Sequence, residues 1–126
     1  MSMDVFFQGF AEGDATEGGG DRAREMLSPF VVSEEPEHDF VQIVVGDGRA
    51  DVYRGDDHMM ANHISGVGPW EVLFDVARAN GWVVMPVGAP VCLISEDQQA
   101  QLPEVLQEDV RVVVSGADLM EVVSGS

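Results

Sequence analysis

The sequence predicts an α+β domain, with a single mixed, mainly antiparallel sheet and helices largely on one face. Three observations predict it. Short runs rich in Val, Ile and Phe recur along the chain, separated by Gly, Pro and Asp. A near-apolar helical stretch around residues 68–80 is flanked closely on both sides by strand-like runs. At 126 residues and 45% hydrophobic content, the chain can bury one core without a metal or a disulfide framework, so residues 1–126 read as a single domain.

Residues 3–10 read as a first strand. The acidic, glycine-rich stretch 11–20 that follows is too polar and flexible to pack, and is expected to be a mobile loop. Asp21 opens a short helix whose Ala23, Met26, Leu27 and Phe30 recur at helical spacing, and Pro29 limits its length. Residues 33–39, SEEPEHD, read as an acidic loop. The runs 40–45 and 50–54 bracket Gly46-Asp47-Gly48 and predict a β-hairpin.

Residues 58–65 read as a further strand, and Pro69 as the first position of a helix that Gly81 ends. Glu71 is expected near that helix's own positive end. Trp82 to Val87 follows at once as an apolar strand, so residues 58–87 form a strand–helix–strand unit. Residues 91–94 read as a short strand, Ser95 with Gln98 has the capping-box pattern of a short helix, and residues 110–114 read as the last strand. Ser115 and Asp118 begin a final short helix.

Charge excludes several function classes. The chain has 23 acidic residues against six arginines and no lysine, for a net charge of −17. Such a surface repels nucleic-acid backbones and anionic membranes, so neither is an expected partner. The longest uncharged stretch, residues 81–94, is too short to span a bilayer and is interrupted by two prolines. A single cysteine allows no internal disulfide, and a cytoplasmic location is expected.

No cofactor-binding or catalytic motif stands out. Cys92 lies among apolar neighbours that suppress a thiolate, so it reads as a core cysteine, and no local motif supports a dyad with His63. Ser65 and Ser115 each precede a glycine outside any nucleophile-elbow pattern. Gly66-Val67-Gly68 lacks the features of a phosphate loop and reads as a tight turn. On a regular strand His58 and His63, five residues apart, face opposite ways and cannot share an ion. Asp56, Asp57 and His58 are the weak metal candidates, without zinc-type spacing.

The charge invites more than a packing explanation, because a small domain needs only about 2 to 8 net charges for solubility. An acidic proteome explains it blandly, and the use of arginine without lysine fits the coding of a GC-rich bacterium. The sharper expectation is an acidic docking face for a basic protein partner, of the inhibitor, immunity or regulatory type, carried by Glu34, Glu35, Glu37, Asp39, Glu96, Asp97, Glu108 and Asp109. The alternatives are a small metal- or ligand-dependent enzyme using His58, His63, Asp56 and Asp57, and a structural homodimer joined through an exposed edge of the 40–54 hairpin.

Overall fold

The computed structural model describes residues 3–125. Ten strands form in chain order: β1 (Val5–Gln8), β2 (Phe10–Ala11), β3 (Asp14–Ala15), β4 (Val31–Glu35), β5 (Phe40–Val45), β6 (Gly48–Arg54), β7 (His58–Ser65), β8 (Val83–Pro86), β9 (Val91–Leu93) and β10 (Val110–Val112). The helices are α1 (Gly20–Leu27), α2 (Val67–Asn80) and α3 (Gly116–Ser124). Eight strands make one sheet in the order β10-β9-β8-β1-β7-β6-β5-β4, and β2 and β3 pair as a separate small hairpin. Every pairing in the large sheet is antiparallel except β10 with β9, so the predicted α+β fold with a mixed, mainly antiparallel sheet is the fold observed.

Alternation along the strands sorts side chains onto two faces. Val5, Phe7, Val41, Ile43, Val52, Met59, Ala61 and Val84 point to one face and are fully buried. They form the main core with Ala23 and Leu27 of α1, Leu73, Phe74, Val76 and Ala77 of α2, and Leu119 of α3, so all three α-helices cover this face. On the opposite face a smaller core gathers Val83, Val91 and Leu93 under Leu102, with Phe10, Met85 and Leu106 packed against it. Its cover consists of the 3-10 turns Glu96–Gln101 and Glu104–Leu106 and the β2–β3 hairpin, tied by the Gly13 N–H donating to the Gln101 carbonyl at 2.9 Å. Beyond that cover, the second face over β1, β7, β6 and β5 is open.

The predicted hairpin forms with a two-residue turn, Val45 pairing with Gly48, and Gly46 at φ 59° supplies the positive φ a tight hairpin needs. The strand–helix–strand unit also forms, as β7–α2–β8. The two strands are not neighbours, because β1 lies between them and pairs antiparallel with both.

The structure corrects several expectations. Residues 31–35, four of them exposed and two of them acidic, are the edge strand β4, paired with β5; burial cannot mark a strand that has no buried side. Consequently neither strand of the 40–54 hairpin is an edge, since β4 covers β5 and β7 covers β6. Segment 11–20 packs rather than lying loose. Gln8 Nε2 donates to the Thr16 carbonyl, the Gly18 N–H donates to Asp57 Oδ1 at 2.8 Å, and Gly19, at φ 100°, lies against Trp82 so closely that a Cβ would stand 2.7 Å from the ring.

Helix α2 begins two residues earlier than Pro69 suggests, at Val67. Glu71 therefore lies outside its own helix's first turn and serves another helix. Its carboxylate accepts the Ala117 N–H at 2.8 Å and the Gly116 N–H at 3.3 Å at the start of α3. Ser115 Oγ accepts the Asp118 N–H at 3.0 Å, completing that cap. The α2–α3 contact is close enough that a Cβ on Gly116 would overlap the backbone of Glu71. Replacing Glu71→Ala is expected to lower stability by about 1–2 kcal/mol through lost capping. A thermal melt measures the loss, and hydrogen exchange should show faster opening of α3 than of α2.

Candidate functional site

A cleft of about 840 Å³ opens where β7 ends and α2 begins, with Trp70, Met120 and Val123 as its apolar wall and Gln42, Arg49, Asp51, His63 and Ser65 as its polar side. A β-bulge shapes it. Arg49 pairs with Ser65 and Asp51 pairs with Asn62, so His63 and Ile64 together oppose Ala50 alone. His63 takes the extra residue's turn with φ 51°, the left-handed region.

The bulge turns the His63 ring toward Asp51, whose neighbours on β6, Ala50 and Val52, point into the core. His63 Nδ1 lies 3.0 Å from Asp51 Oδ2, and Gln42 Nε2 donates to Asp51 Oδ1 at 3.3 Å. With a carboxylate as its partner, Nδ1 carries the proton. Arg49, across from Ser65, makes no ion pair among the described residues. The recess thus holds one oriented imidazole and one guanidinium beside an apolar wall, the makings of a recognition site.

The bulge also overturns the parity expectation for the histidines. His58 stands beside Gln8 with Met59 facing the core, so it and His63 lie on the same, open face of the sheet. Five strand residues, about 16 Å, still separate them. The weak metal candidates are not gathered either. Asp57 is held by the Gly18 N–H, Asp56 lies 3.9 Å from Arg24, and the His58 ring packs on Gly55. Among the described residues no group of three or more His, Cys, Asp or Glu side chains is placed to hold a metal ion.

Cys92 is fully buried, on the helix-covered face opposite Val84. Strands β8 and β1 stand between it and β7, so it cannot pair with His63. Burial pushes its thiol up from 9.0 to about 11, Asp118 adding to the shift and Arg111 opposing it.

The acidic residues divide rather than converge. Glu34 and Glu35 lie on β4, with Glu37 and Asp39 in the turn after it. Glu96 and Asp97 open the 3-10 turn under the sheet, and Glu108 and Asp109 lead into β10. Because β4 and β10 are the two edges of the sheet, these groups stand roughly 30 Å apart. Asp21, Glu25 and Asp75 carry charge on the helix side. The expected single acidic face is therefore corrected: the negative charge surrounds the molecule.

Comparison with known proteins returns no matching family model, no matching curated protein and no matching solved structure. No helix among the described residues is long and apolar enough to cross a membrane.

Two outcomes follow from this geometry. His63→Val removes the bond to Asp51 and is strained at φ 51°, whereas His63→Asn keeps an amide N–H in the place of Nδ1 and tolerates the left-handed region. His63→Val is expected to melt at lower stability than His63→Asn by about 1–2 kcal/mol. For Cys92, about one thiol in a thousand is ionised at pH 8, so alkylation of the native protein should be slow and should accelerate on unfolding. The native pKa is raised, so the native state holds its proton longer than the unfolded chain. The thiol's contribution to stability is intact below pH 9 and declines as pH rises toward about 11, which chemical denaturation across that range measures.

Proposed function

We propose that this chain acts by binding a basic protein partner, in the manner of a small inhibitor, immunity or regulatory protein. One observation carries the reading: none of the 23 acidic residues is buried, so the interior uses no charge and the whole excess is presented outward. Of the six arginines, Arg24, Arg54 and Arg78 already sit in ion pairs with Asp21, Asp39, Asp56, Glu34 and Asp75. Little internal cation remains to neutralise the rest.

An all-round negative field accelerates encounter with a positive partner from any direction and rejects acidic competitors. It does not by itself fix the pose of the complex, so specificity has to come from a smaller contact surface within it. The buried, high-pKa thiol and the scattered metal candidates support a binding role over the enzyme alternative.

Immobilised protein is incubated with extract of its own cells beside an unrelated protein of equal size and negative charge. The reading predicts a basic protein retained by this chain, absent from the control and released at high salt. Identical retention by the two columns contradicts it and leaves the acidity as a general property of the proteome.

A further inference from the structure

The second face of the sheet carries an apolar row that starts at the margin of the smaller core, at Met85 of β8, and continues across the four open strands. In direct register, Met85 of β8 pairs with Phe6 of β1, Phe6 with Met60 of β7, Met60 with Tyr53 of β6, and Tyr53 with Phe40 of β5. These side chains alternate with core residues, so they point away from the three helices. Phe6 is 41% exposed and Tyr53 39%, and the Phe40 and Tyr53 rings stand 5.1 Å apart between centroids.

Charge borders the row at both ends. Beyond Phe40 the next registered neighbour is Glu35 on β4. Beyond Met85 rise the covering segments, which expose Glu12, Asp14, Glu96, Asp97 and Glu104. Alongside runs a polar row through Asn62, Asp51 and Gln42, with Asp4 bonded to Asn62 at 3.1 Å.

Resting on the basic-partner reading, we propose that this row is the docking surface, and that its occupant is an amphipathic basic helix of the partner. The dimensions fit a helix. The open part of the row, from Phe6 to Phe40, spans three strand spacings, about 14 Å, which is the length of about 10 helical residues. Strands repeat at about 4.8 Å and helix turns at about 5.4 Å, so a helix laid along the row sets one apolar side chain near each strand. A strand has nothing to pair with here, because the backbone groups of these strands are taken by their neighbours. A second copy of this chain would bring another charge of −17 against the first, whereas lysines or arginines flanking the helix's apolar stripe meet carboxylates at both ends.

The probe is a synthetic Lys/Leu amphipathic helix, with a Lys/Ser peptide of equal length and charge as control, titrated into the labelled full chain at physiological salt and followed by backbone amide shifts. The proposal predicts shifts centred on residues 6, 40, 53, 60 and 85, and Lys/Leu binding at least about tenfold tighter than Lys/Ser, the scale of one well-buried anchor. The Phe6→Ser/Tyr53→Ser variant should bind both peptides alike. Equal affinity for the two peptides, or shifts centred on the helix-covered side, overturns the proposal, and the shift map on the unmodified chain stands even where the variant is poorly folded. The two readings fail separately: a native partner still retained by the folded variant removes the docking surface alone, whereas no partner retained by the unmodified chain removes the basic-partner reading.

Discussion

The antiparallel pairing of β1 with both β7 and β8 is the contact on which the rest of the structure depends. Without it the chain holds a four-stranded β4–β7 meander and a separate β8–β9–β10 group. With β1 between them they become one sheet, and β7, α2 and β8 become a crossover wrapped over a central strand. Val5 and Phe7, both fully buried, seat that strand against the helices. The same alternation turns Phe6 outward, so the pairing that builds the core also sets the centre of the exposed apolar row.

Keeping charge out of the two cores leaves every carboxylate at the surface, where self-repulsion costs stability that the cores must offset. The arrangement also guards the sheet. Edge strand β4 carries Glu34 and Glu35, and edge strand β10 is short and preceded by Glu108 and Asp109, which discourages pairing with another chain. An acidic shell that prevents self-association and an open apolar row that needs a cover are compatible when the cover is positively charged.

Local patterns were legible in the sequence and distant ones were not. The hairpin at residues 40–54, the Gly81 stop of α2 and the Ser115 cap of α3 each depend on residues a few positions apart, and each forms as predicted. Strand β4 escapes because neither of its faces is buried, which removes the alternation that reveals strands. The order β8-β1-β7 and the bond from Glu71 to α3 depend on partners 45 or more positions apart, which no local spacing records. The bulge at His63 is hidden for a related reason: period-two reasoning assumes an unbroken strand, and the extra residue puts His63 on the face that parity denies it. Acid content is explicit in the sequence, but its arrangement depends on strand order, which places the two acidic segments on opposite edges.

The open sheet face, inside an all-round negative field, is the proposed seat of the positive partner. Site-specific photo-crosslinking in the native cell tests this most directly, with a photoreactive residue at position 53 on the open face and, separately, at position 75 on the exposed side of α2. If the partner sits there, a discrete adduct with a basic protein forms from position 53 and none from position 75. Adducts of equal yield from both positions, or an adduct from 53 that contains only a second copy of this chain, would contradict it.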